Sequence, residues 1–139
     1  SQMIKNINLQ FLISYLGIVP FLIAIADKFF FQYFNTNIVD DFIIIYSLII
    51  FVFIGATNWD LKKIMPVKLV LLGFLPSLIA VILLFMHLML YQVELIVITF
   101  IILQLLIDNF IYKEKFEKEI YFKLRLPLTI LIVLSLLII

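Results

Sequence analysis

Six polar residues stand at the ends of long apolar runs, where their cost in hydrocarbon makes them informative. Asn58 and Trp59 close one run, Asp108 closes another, and Tyr121, Arg125 and Thr129 open the last. On a helix Tyr121 and Thr129 flank Arg125 at i−4 and i+4, which makes one polar stripe. Gln104 stands one turn before Asp108 in the same way. A carboxylate and a guanidinium at similar depth suit bidentate pairing, so Asp108 and Arg125 are expected to meet. The cluster has two readings. It fixes helix register, with the arginine reaching toward the interface, or it handles a ligand or a proton.

Other chemistries find no footing. There is no cysteine, which excludes disulfides, thiolate metal sites and thiol nucleophiles. The one histidine, His87, cannot build a metal or haem cluster and reads as a solvated interfacial side chain. Gly17, Gly55 and Gly73 lie too far apart to cradle a phosphate. Ser77 and His87 form no triad with an acid. No catalytic residue, metal or cofactor is expected, and the chain does not read as an enzyme. Six residues are instead expected to shape the helices. Pro20 and Pro76 fall within apolar runs and bend them, and Ser77 is placed to bond a carbonyl freed by Pro76. Gly17 and Gly55, with Gly73, permit close helix contacts.

The elements that carry these residues follow from composition. Of 139 residues, 66% are hydrophobic and 14% charged, whereas a soluble domain is roughly half apolar and about a quarter charged. So small a globule could not hide that surface. Soluble enzymes, disordered regulators and nucleic-acid binders are poor readings, the last because the net charge is only +1. A membrane-crossing helix needs about 20 apolar residues. Runs between charges predict an all-α integral membrane bundle, one domain over 1–139, with five transmembrane helices at about 6–26, 42–59, 67–87, 90–108 and 121–139. The first is too long for a signal-peptide core and is followed by no small-residue cleavage site, so it reads as retained. Ser1 and Gln2 read as an expression remnant ahead of a natural start at Met3.

Five spans put nine of the 10 basic residues on one side and only Lys28 on the other. The positive-inside rule then places the N-terminus in the cytoplasm and the C-terminus on the far side. The far-side segment 27–41 is acidic and carries Phe29, Phe30, Phe31, Tyr33 and Phe34. It reads as an interfacial loop anchored by its rings, with a protein-docking patch as the alternative. The cytoplasmic segment 112–123 alternates Lys and Glu, as a solvated helical turn would. The preference for lysine over arginine suggests an AT-rich genome, hence a bacterial inner (cytoplasmic) membrane, with the mitochondrial inner membrane as the alternative.

Several segments together resemble the transmembrane protein 69-like family, a small polytopic domain of unknown function. Tyr46 through Trp59 resembles its stretch of Tyr, then Phe-x-Gly, then His-Trp. Gly17-Ile18-Val19-Pro20-Phe21 matches its Gly-x-x-Pro-Phe, and Leu75-Pro76-Ser77-Leu78 its Pro-Ser. Asp108 fits its acidic residue after the fourth helix, and Leu124 through Thr129 its Leu-Arg-x-x-Leu-Thr. The departure is Asn58, where the family has His, since an amide carries no proton at neutral pH. The resemblance implies a five-helix membrane protein and no reaction.

The expected partners are the lipid bilayer and either another membrane protein or a bound lipid or quinone. The expected role is a non-enzymatic accessory, assembly or interaction protein working through helix packing or lipid binding. The alternative is a small transporter or channel for a proton, ion or small molecule, and a membrane enzyme acting on lipid or isoprenoid ranks below both.

Overall fold

Prolines and a side-chain cap, rather than the charges that bound the apolar runs, mark where several helices begin. A computed structural model describes residues 9, 12–57, 59, 61–111, 118–119 and 121–139. Among them the chain is all-helical, with five helices and no strand. The first, α1, spans Leu12–Phe31. Its ladder tightens at Gly17 and Ile18, whose N–H groups bond three residues back to Ser14 and Tyr15 at 3.1 and 3.0 Å. A new α-helical run, Val19–Ala26, then starts with Pro20 in its first turn, where a missing N–H costs nothing. Tyr46 reaches across to donate its hydroxyl to the Gly17 carbonyl at 2.8 Å.

The first helix does not end before Asp27 and Lys28, as the charges suggested. It continues as a wide π-type turn, Asp27–Phe31, and stops at Gln32 in the left-handed region with φ 51°. The second helix, α2, spans Thr36–Ala56 and is capped by Asn35, whose side chain accepts from the Asn37 N–H at 3.0 Å. Its predicted start at 42 is therefore too late. The expected 27–41 loop shrinks to residues 32–35, because the charges that marked its edges have partners. Lys28 Nζ lies 2.8 Å from Asp40 Oδ1, and His87 Nε2 lies 2.9 Å from Asp41 Oδ1. Charges held this way no longer force a helix to end.

The third helix, α3, spans Val67–Leu88 behind Pro66. Its end is tied by N–H groups of Leu90 to His87 O (3.0 Å) and Tyr91 to Met86 O (3.1 Å), the paired closure of a Schellman turn. The left-handed position of that turn, which favours glycine, is held by Leu90 at φ 69°. The fourth helix, α4, spans Glu94–Ile111, so it starts after the predicted 90 and takes Asp108 and Asn109 inside. The fifth begins with a second π-type turn, Tyr121–Arg125, and continues as α5, Leu126–Leu137. Pro127 in its first turn leaves the Lys123 carbonyl without its i+4 donor, and Tyr15 of α1 donates its hydroxyl to that carbonyl.

α2 touches each of the other four helices, whereas α3 packs chiefly on α2. Its buried residues Val39, Ile43, Ser47, Phe51 and Gly55 recur every four positions, one stripe along the helix. Around it lie Phe21 of α1, Leu83 of α3, Val97 and Ile101 of α4 and Ile132 and Leu136 of α5. The outside is as apolar as the inside, with Ile23, Phe53, Val81, Phe85 and Leu95 all exposed. Four helices, Leu12–Phe31, Thr36–Ala56, Val67–Leu88 and Glu94–Ile111, are long and apolar enough to cross a membrane. α5 proper has 12 residues, roughly 18 Å of helix.

Candidate functional site

Asp108 arrives from the last turn of α4 and Arg125 from the π-type turn that opens the fifth helix. A π-type turn adds a residue to the helical circuit, and this one buries both its ends, Tyr121 and Arg125, while Phe122 between them stays exposed. Arg125 Nη2 donates to Asp108 Oδ2, with the side chains only 7% and 1% exposed. The two groups expected to meet do meet, away from water. Thr129 is buried on α5 beyond Arg125.

Gln104 is buried one turn before Asp108 and ties the pair's helix to α2, its Nε2 donating to the Phe51 carbonyl at 3.2 Å. Gly55 makes room for this. A Cβ there would lie 3.3 Å from Gln104 Nε2 and 2.6 Å from the Pro76 ring of α3. Gly55 and Pro76 are thus two halves of one close contact. Ser77 does not take up the carbonyl that Pro76 frees at Leu72; it donates to Phe74 O at 2.6 Å. Pro20 and Gly17 act at the break in α1.

Trp59 is drawn elsewhere. Its indole packs over Gly73, where a Cβ would collide with it, and its Nε1 donates to the Val70 carbonyl at 2.9 Å. The six sequence-selected residues therefore divide. Asp108 and Arg125 join α4 to the start of the fifth helix, Tyr121 and Thr129 are buried on the same helix as Arg125, and Trp59 belongs to the α2–α3 contact. Asn58 lies outside the described residues.

The opposite end of the bundle carries a second polar layer that sequence reasoning missed. Lys28 bridges Asp40 and the Ile138 carbonyl at 3.2 Å, placing a cation at the C-terminal end of α5. His87 is not merely solvated, since Asp41 holds it and its side chain is 14% exposed. Asp27 accepts the backbone N–H groups of Tyr33 and Phe34 at 3.0 and 3.2 Å. The available signal was the adjacency of Asp40 and Asp41. Consecutive helical residues diverge by about 100°, so two neighbouring acids address two neighbouring helices.

Among the described residues no three His, Asp or Glu side chains gather as metal ligands. Hydroxyls within the helices are satisfied locally, as Ser47 to Ile43 O, Thr99 to Leu95 O and Ser135 to Leu131 O show. A cavity of about 750 Å³ lies between α1 and α2, and another of about 310 Å³ between α2 and α3. Neither is lined by Asp108 or Arg125.

Over residues 8–139 the sequence matches the family described as Protein of unknown function (DUF3429). The chain belongs to that family. The DUF3429 match takes in both polar layers and both π-type turns, so the whole helical arrangement lies within the family's extent. Comparison with curated proteins and with solved structures gives no match.

Proposed function

We propose that this DUF3429 protein is a non-enzymatic accessory or assembly protein of a bacterial inner membrane, working through its lateral faces on a partner protein or lipid. What supports the reading is where polar and apolar surfaces lie. The Asp108–Arg125 pair is closed from solvent, whereas the flanks of the helices are apolar and carry both cavities. Helices associate in lipid by close packing and interhelical hydrogen bonds rather than by the hydrophobic effect, so such flanks remain available to a second membrane protein. The charge distribution supports five crossings with the lysine-rich end in the cytoplasm. The ordered motifs around Pro20, Trp59, Pro76 and Arg125 support placing the chain with transmembrane protein 69-like proteins.

Gentle extraction of the tagged full chain from native membranes, followed by native gel separation, tests this. Comigration with a larger assembly is expected; migration only as a monomer or homodimer overturns it. The second reading, a small proton or ion pathway, draws on the buried Asp108–Arg125 pair, since intramembrane charges often mark such pathways. Flux across liposomes bearing the purified protein, abolished in Asp108→Asn, would favour that reading.

A further inference from the structure

The cleft between α1 and α2 has a polar end unlike its walls. Pro20, Ala24 and Ala26 of α1 face Val39 and Phe42 of α2, and Asp27 stands where the connecting turn closes the cleft. The small side chains of Ala24 and Ala26 leave volume in the cleft unfilled. From Pro20 to Asp27 the cleft runs roughly 10 Å along the helix, and its volume of about 750 Å³ is that of a site for one small ligand.

Asp27 is more than nine-tenths buried, and a carboxylate offers about four acceptor positions. Two are used by the Tyr33 and Phe34 N–H groups. The adjacent cation, Lys28, is committed to Asp40 and the Ile138 carbonyl. Among the described residues Asp27 has no ion pair, although it lines a cavity. Phe31, Tyr33 and Phe34 are exposed around it, and rings of this kind settle at headgroup depth. The cleft therefore offers a buried anion at headgroup level and apolar walls below it.

We propose that this cleft holds one phospholipid with a primary-ammonium headgroup, of the phosphatidylethanolamine class, its ammonium donating to Asp27 and its proximal acyl chain lying along Ala24, Val39 and Phe42. This deepens the lipid-binding form of the function proposed above and rests on the lateral faces lying in lipid. Charge selects the headgroup. Among the described residues Asp27 is the one charged side chain in the cleft lining. Lys28 is held by Asp40 and His87 by Asp41, so the cleft presents an anionic headgroup with a carboxylate that repels it. A choline headgroup has no N–H to give a buried carboxylate, which leaves acceptors unmet at a cost.

The test is native mass spectrometry of the purified full chain, incubated with ethanolamine, choline and glycerol phospholipids of identical acyl chains. Wild type should retain one ethanolamine lipid with about tenfold preference, the scale of one charge-assisted hydrogen bond. Retention should fall as the amine is methylated stepwise. Asp27→Asn should bind the ethanolamine and choline lipids equally. Because Asp27 also ties the turn, Ala26→Phe provides an independent check: it fills the cleft, keeps the carboxylate and should lose the bound lipid. Equal retention of all headgroups by wild type, a preference for the glycerol lipid, or full retention by Ala26→Phe overturns the proposal. A chain that runs alone on native gels yet holds the ethanolamine lipid would overturn the accessory reading and leave this one standing.

Discussion

The indole of Trp59 lies over Gly73 and donates to the Val70 carbonyl on the same helix, at 2.9 Å. The segment leaving α2 is thereby pinned to the first turns of α3, and the absent side chain at 73 makes the contact possible.

Gly73→Ala should expel the indole, because the added Cβ collides with its Cδ1 and Nε1 and also lies 3.3 Å from the Gly55 carbonyl. Overpacking of this kind costs about 1–3 kcal/mol. Trp59 is the only tryptophan, so its fluorescence reports the contact directly. A change in emission together with a lower unfolding midpoint in detergent is expected; an unchanged spectrum would show that the indole does not depend on Gly73.

Removing one member of the buried pair should be severe. Arg125→Gln leaves Asp108 buried without its cation, a loss of about 3–5 kcal/mol, read as a collapse of folded yield on size exclusion. Combining it with Asp108→Asn should recover much of that yield, since two amides can bond to each other. Failure of the double variant to recover would mean that the charges matter for more than each other.

Tyr46→Phe keeps the ring, which meets Phe21 edge-on at 4.7 Å and stacks on Phe42 at 5.6 Å. Only the bond to the Gly17 carbonyl is lost. Interhelical hydrogen bonds in membranes average about 0.6 kcal/mol, so a small drop in thermal stability is expected. Tyr46→Ala, which removes both rings' partner, should cost several times more; equal losses would assign the contact to the hydroxyl alone.

Leu90→Gly should stabilise the protein. Leu90 occupies the left-handed position of the turn after α3 at φ 69° and is almost fully exposed, so the substitution removes backbone strain and little packing. The relief is about 1 kcal/mol before glycine's greater unfolded freedom is set against it. A raised unfolding midpoint is the expected result, and a lowered one would show that the leucine side chain is held by something outside the chain.

Apolar runs made the helices legible, since each long run between charges corresponds to one. Their ends were not legible where charges served as boundaries. Lys28, Asp40 and Asp41 mark a loop only if nothing neutralises them, and their partners, as far away in sequence as His87 and Ile138, are set by tertiary packing. The pairing of Asp108 with Arg125 was readable because helical spacing and depth both indicate it. The π-type turn that delivers Arg125 was not, since no local composition distinguishes it from an α-turn. Trp59 shares the pair's end of the bundle, but the bare backbone at Gly73 draws it to α3, a match that exists only between two elements.

Asp40 and Asp41 hold α2 in two directions about 100° apart, one toward α1 through Lys28 and the other toward α3 through His87. Two tethers pulling in different directions act as a torsional stop. α2 cannot spin about its axis in either direction without stretching one of them, which keys the central helix without any covalent link. Deleting a single residue between positions 42 and 46 would turn the pair of acids by about 100° relative to the rest of α2 and slip both keys at once.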